Sequence, residues 1–326
     1  MARAAVAISR LVSKGKDFDI RFLAALYSVL LLAAMYGLLR LLRPCALTAR
    51  VVVAGLAIWI FTDVAYASYF NSFYAEAMAL VSLLLMLVAA LHIVTARQMR
   101  WPMWVAFVSA VLFFVTSKAQ YATAGVFPAL FVLLAPISLP AIRRRVPRTI
   151  LCALIVVATV GELRTTAPWY KGVAEFDIVF ANIPKTSPDG QQELKELGLE
   201  PSYIKYMGAS PWPQGPNWLA QFYARLGPWK VCKFYLAHPL RTLGIMGIDL
   251  RTSTAHLRNL PNYRRTDGFP PGTLTRHFCS WSDLRSRLFV VWPYHILVWY
   301  GVVAAGGSWI AMRRRGSFPA AQRLCV

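Results

Sequence analysis

Five ionisable side chains lie within or at the edge of strongly apolar stretches: Asp63, Glu76, Lys118, Glu162 and Arg164. A charge at membrane depth costs roughly 3 kcal/mol on insertion scales, which makes each a candidate for function. Between the first two acids come Tyr66, Tyr69, Asn71 and Tyr74, a polar and aromatic interruption of two apolar runs. Tyr66, Tyr69 and Phe73 recur at helical spacing, so an interfacial helix presents their rings to one side. The turn between Asp63 and Glu76 allows both carboxylates to approach one cleft. Such a carboxylate can take the proton of an attacking hydroxyl while nearby cations hold a departing phosphate. Lys118 and Arg164 suit that phosphate, one as a compact ammonium and the other as a guanidinium fork. Tyr69, Asn71 and Tyr74 would shape a sugar site, with Tyr66 beside them. The combination describes glycosyl transfer from a lipid-borne phosphate sugar.

Each residue also has a structural reading. Asp63 can cap a helix or tie to Lys118. Glu76 sits where a helix dipole favours a carboxylate. Tyr66 and Tyr69 fit an interfacial aromatic belt, and Glu162 and Arg164 fit solvated positions at the membrane edge. His238 is placed to contribute from outside the membrane, although a histidine beside Pro239 also has a packing role. His92, His238, His256, His277 and His295 are scattered, so no metal site is expected.

The elements that must position these groups follow from composition. The chain has 326 residues, 57% apolar and 15% charged. A soluble domain carries about 25% charge. This deficit excludes a disordered tail, a coiled coil and a small disulfide scaffold, and points to an all-α polytopic membrane protein. A net charge of +21 would suggest nucleic acid in a soluble protein. Here the arginines cluster between apolar runs and no nucleic-acid motif accompanies them, so no nucleic-acid partner is expected. About seven spans are expected, at residues 22–42, 51–70, 75–95, 102–117, 120–139, 149–164 and 288–311, each near the ~20 residues a crossing needs. Arg40, Arg43 and Arg50, then Arg97 and Arg100, then Arg143, Arg144, Arg145 and Arg148, then Arg313, Arg314 and Arg315 mark every second connection as cytoplasmic. Asp63, Glu76, Lys118, Glu162 and Arg164 then gather at the outer face.

That orientation puts the N-terminus outside, against the basic Arg10, Lys14, Lys16 and Arg21. The conflict favours a further span upstream of this chain. Four regions are expected: residues 1–21 as an interfacial or outer segment, 22–164 as six spans with outer loops, 165–287 as an extracytoplasmic domain of short helices, and 288–326 as the last span with a basic tail. Gln191 to Leu199 reads as a short helix opened by Ser187-Pro188-Asp189 and stopped near Gly198. Cys232 and Cys279 both fall in the outer block, where one bridge and two free thiols are equally compatible with the sequence.

Several motifs resemble bacterial membrane glycosyltransferases of the GT-C superfamily, especially hexose transferases of S-layer and surface-glycan assembly. They are Phe18-Asp19-Ile20-Arg21, Tyr69-Phe70-Asn71-Ser72-Phe73-Tyr74-Ala75-Glu76 and Ser117-Lys118-Ala119-Gln120. The shorter pieces Ser187-Pro188, Leu197-Gly198-Leu199 and His238-Pro239 extend the similarity, over residues 16–270. The resemblance implies an inverting enzyme of the bacterial cytoplasmic membrane with an outward active site. Its donor would be a polyprenyl-phosphate hexose, its acceptor a surface glycan or lipid, with no other cofactor. It implies Glu76 as the family's second acid, in a later outer loop; with Asp63, singled out above from its place in an apolar run, Glu76 is expected to be catalytic, and Gln120 joins the substrate site. The family's first outer loop, with an essential acid, would precede Phe18. The rival readings are an O-antigen-type ligase or polymerase using a diphosphate-linked donor, a non-catalytic assembly subunit, and a transporter.

Overall fold

The computed structural model describes residues 2–12, 18–95, 101–134, 141–187, 189–256, 268, 277–299 and 301–302. Among these every element is helical and no strand occurs, so the chain is all-α. It divides into two compact units, one of Met1–Leu163, Leu257–Arg285 and Ile296–Val326, the other of Arg164–His256 and Ser286–His295.

The first unit begins with α1 (Ala2–Val12), α2 (Arg21–Leu41), α3 (Leu47–Phe61) and α4 (Val64–Ala67), then a 3-10 turn at Ser68–Asn71. It continues with α5 (Ala75–Thr95), α6 (Trp101–Val115), α7 (Ala119–Ala122), α8 (Val126–Leu134) and most of α9 (Ala141–Thr165). Helix α5 is the centre of this unit. One side packs Ala77, Val81, Leu84 and Val88 with Leu23, Tyr27, Leu31 and Ala34 of α2. Another packs Ala79, Ala89 and Ile93 with Trp104, Phe107, Val108 and Val111 of α6. Small residues let these backbones approach, as in membrane helix pairs. At Gly37 of α2, a side chain would press on Val88, and the Gly37 carbonyl takes a 2.9 Å hydrogen bond from His92 Nε2. Large apolar groups such as Val29, Leu32 and Val105 remain exposed, as lipid-facing side chains must.

By length and apolar composition, α2 and α5 can each cross a membrane. Two further crossings follow if the bent pairs Leu47–Phe61 with Val64–Asn71 and Arg148–Thr165 with Pro168–Asn182 each count as one. The expected span at 51–70 bends by 52° where α3 ends at its C-cap Thr62 and Asp63 caps the next helix. The stretch at 102–117 forms the 15-residue α6. That at 120–139 is broken by a 3-10 turn at Thr123–Gly125, where Gly125 leaves room for Thr159 of α9. The stretch at 149–164 is the later part of the longer α9. The stretch at 288–311 falls partly outside the described residues, and its first part ends at Val291 before Pro293.

The second unit has a core of its own. It comprises α10 (Pro168–Asp177), α11 (Gly190–Glu196), α12 (Gly215–Ala237) and α13 (Pro239–His256). Phe176, Phe180, Leu219, Phe222 and Leu226 are buried together, and Tyr203, Tyr206 and Trp218 pack around them. Gly172 admits the Leu219 backbone, where a methyl would overlap the carbonyl. Helix α11 forms where the sequence predicts. Asp189 accepts from Gln191 N and Gln192 N at 3.0 and 3.2 Å, and Gly198 closes the end in a left-handed conformation. Helix α14 (Ser280–Val291) begins in the first unit. Neither Cys232 nor Cys279 forms a disulfide.

Candidate functional site

Glu76 lies in the first turn of α5, and Lys118 sits in extended backbone between α6 and α7. They meet in a 2.8 Å ion pair, 28% and 27% exposed respectively. The partner that sequence offered Lys118, Asp63, is therefore not the one it takes. The pair stands at the start of α5 because the 3-10 turn at Ser68–Asn71 and an extended Ser72 return the chain to that helix. Ser72 Oγ donates to Tyr69 O at 2.7 Å and accepts from Tyr74 N at 3.3 Å, which fixes this return. The Tyr69 and Tyr74 rings consequently stand edge to face at 6.1 Å. The Tyr69 hydroxyl is within Coulomb reach of Glu76, Lys118, Tyr121 and Tyr74. Tyr121, a residue the sequence analysis did not single out, stacks on Phe114 at 5.4 Å.

The site is open on its polar side. Asn71, Tyr74 and Gln120 are exposed. The Gln120 backbone carbonyl accepts from Thr123 Oγ1 at 3.0 Å. Phe18 packs on Phe73 at 5.8 Å, so two of the motifs that carried the sequence resemblance touch in space. Asp19 next to it accepts from Arg21 N at 2.9 Å and pairs with the Arg21 guanidinium, holding the start of α2.

Asp63 does something else. It is 2% exposed, and each carboxylate oxygen accepts a backbone N–H. Oδ1 takes Ala65 N at 2.9 Å, capping α4, and Oδ2 takes Ser282 N at 2.8 Å in the first turn of α14. Both oxygens of Asp63 are thus engaged by backbone N–H groups, one at the start of each of two helices. Tyr66 is drawn into the same tie. Its hydroxyl accepts from Arg285 Nη1 at 2.8 Å and Trp281 Nε1 at 3.3 Å, while Trp281 stands edge-on to Trp59 at 5.4 Å. Trp59 Nε1 donates to Ser280 Oγ at 2.7 Å. Tyr66 thus holds α14 and is not presented to the Glu76–Lys118 pair by these bonds. Arg285 is the functional candidate that sequence reading missed. Its only linear signal is the one-turn spacing of Trp281 and Arg285 on α14.

Arg164 and His238 belong to the second unit. Arg164 is exposed near the end of α9. His238 ends α12, where Nε2 lies 2.9 Å from Glu196 Oε2 and the ring packs on Phe234 at 4.8 Å. Beside them Arg241 pairs with Glu193 at 2.8 Å, and Ser187 Oγ donates to the same Glu193 oxygen. The three short sequence pieces around Ser187, Leu197 and His238 thus belong to one packed corner. Glu175 is 6% exposed, and burial pushes its pKa from 4.5 up to about 7, opposed by the backbone N–H of Gly227.

The model of a family described as the YfdI N-terminal transmembrane domain matches residues 1–317, and the chain belongs to that family. It is therefore a membrane protein, in accord with its all-α fold and apolar helices. No curated protein and no solved structure matches it.

Proposed function

We propose that this membrane protein is a glycosyltransferase that moves a hexose from a polyprenyl-phosphate carrier to a glycan or lipid acceptor on the outer side of the bacterial cytoplasmic membrane. The observation that carries the reading is the Glu76–Lys118 ion pair at the membrane end of two helices, bordered by Tyr69, Tyr74 and Tyr121. An acid and a base of opposite charge at one open site meet the two demands of inverting transfer. Glu76 takes the proton from the acceptor hydroxyl as its oxygen bonds to the anomeric carbon. The bond from that carbon to the phosphate oxygen breaks with its electron pair on the phosphate, whose charge Lys118 can balance. In the resting protein Lys118 is held by Glu76, so a phosphate competing for the ammonium would free the carboxylate to act as base. The tyrosine faces suit the apolar side of a sugar ring.

Within this reading Asp63 is a positioning residue, and Arg164 and His238 have no assigned chemical step. The test is hexose transfer by the purified protein in lipid, offered polyprenyl-phosphate-linked hexoses. Transfer by the native chain and its loss in Glu76→Gln, with membrane yield unchanged, is the expected outcome. Retained turnover in that variant removes Glu76 from the mechanism, and binding of donor without any transfer favours a non-catalytic assembly role.

A further inference from the structure

The start of α14 contains a guanidinium whose bonding is half complete. Arg285 Nη1 donates to Tyr66 Oη at 2.8 Å, and Cζ stands 5.6 Å from the centre of that ring. Nε and Nη2 are shielded from solvent and have no hydrogen-bond partner. These two nitrogens share one edge of the planar group, the edge that offers parallel N–H bonds to two oxygens of one anion. Two acids of this corner, among the described residues, hold other groups. Asp63 takes the Ala65 and Ser282 N–H groups, and Asp283 Oδ2 takes the Cys279 thiol. A guanidinium does not shed its proton in a protein. Desolvating it against a phenol and an aromatic face alone is strongly unfavourable, and an anion on the open edge offsets that cost.

The surroundings indicate which anion. Arg285 is only partly buried as a residue, so the open edge lies just beneath the surface. Tyr66 holds the guanidinium, Trp281 donates to the Tyr66 hydroxyl and Trp59 packs on Trp281, so this corner is built of the aromatic types that collect at the level of lipid headgroups. Trp59 and Tyr66 stand at either side of the break between the apolar α3 and α4. An anion at that depth beside lipid-facing helices is a lipid phosphate. We propose that the Nε and Nη2 edge of Arg285 binds the phosphate group of a membrane lipid, with Tyr66 orienting the guanidinium. Identification of that lipid as the polyprenyl-phosphate carrier rests on the function proposed above; the phosphate site itself does not.

The full-length protein in phosphatidylcholine nanodiscs tests this with three probes: polyprenyl monophosphate, the parent polyprenol and phosphatidylglycerol. Binding is read by native mass spectrometry and by the shift in melting temperature. The native protein should bind polyprenyl phosphate and gain stability from it, and should ignore polyprenol. Arg285→Gln should bind the phosphate about 10–100-fold more weakly. Without ligand it should melt no lower than the native protein, because an uncompensated charge has been removed. Arg285→Lys keeps the charge but loses the two-pronged edge, and should fall between. Native affinity in both variants overturns the proposal. So does an Arg285→Gln protein that melts far below the native one and is rescued by Arg285→Lys with unchanged phosphate binding, since Arg285 is then only a tie to Tyr66. An equal, Arg285-dependent response to phosphatidylglycerol sustains the phosphate site and refutes the carrier as its occupant. Arg285-dependent binding of polyprenyl phosphate in a protein that transfers no sugar sustains this inference and refutes the transferase reading.

Discussion

Replacing Asp63 by alanine removes an acceptor that serves two helix starts at once. Its oxygens hold Ala65 N and Ser282 N, 219 residues from Asp63, and the side chain is 2% exposed. Loss of a cap costs about 1 kcal/mol. Leaving the buried Ser282 N–H without a partner adds roughly 1–3 kcal/mol. The sum, about 2–4 kcal/mol, lowers a melting temperature by ~5–15 °C for a cooperative unit of 150–250 residues. Asp63→Asn retains one carbonyl oxygen and should lose about half as much. Glu76→Gln is the control that differs in kind. The ion pair it breaks is more than a quarter exposed on both sides, and such pairs contribute about 1 kcal/mol or less. It should therefore melt within a few degrees of the native protein while transferring no sugar. The assay is a fluorescence melt of each purified variant in lipid, run beside hexose transfer at a temperature well below every midpoint. Asp63→Ala that melts like the native protein but transfers nothing would refute the reasoning. It would return Asp63 to the chemistry.

Two further outcomes are expected. Lys118→Ala should raise the lipid-donor concentration needed for half-maximal transfer by about tenfold and leave the acceptor requirement nearly unchanged, since the ammonium is assigned to the phosphate; an unchanged donor dependence counts against that role. Glu175 gives the second unit a pH dependence whose sign is fixed by its raised pKa, from 4.5 to about 7. The folded state keeps a proton there that the unfolded chain has already released, so stability falls as pH rises from about 4.5 through 7, by an amount of order 1–3 kcal/mol. Glu175→Gln should flatten that slope in melts taken at pH 5 and pH 8, and a slope equal to the native one would show that another group carries it.

The two acids show where linear reading runs out. Asp63 and Glu76 look alike in sequence, each at the edge of an apolar run beside tyrosines. Hydropathy reports that a side chain lies near the end of a helix, and its period reports which face it occupies. Neither reports which distant backbone N–H or ammonium fills the space in front of it. Lys118 is 42 residues from Glu76, and the contact exists because α5 and α6 pack side by side and end together. Arg285 was invisible for the same reason. A basic residue in an arginine-rich outer block carries no mark of burial until α14 is set against the break between α3 and α4.

What the sequence alone determined was governed by local and compositional physics. Sparse charge and long apolar runs dictated helices in a membrane, because an unpaired backbone cannot be left in hydrocarbon. The Asp189 cap and Gly198 stop dictated α11, because both act within one turn. The motifs ending at Glu76 and containing Lys118 hold the two residues that pair. Tertiary structure alone decided the partners: Lys118 for Glu76, Ser282 for Asp63, and Tyr66 for one edge of Arg285. Those choices depend on how the helices pack, and close approaches such as those at Gly37 and Gly125, where a methyl would meet Val88 and Thr159, are set by residues far apart in sequence.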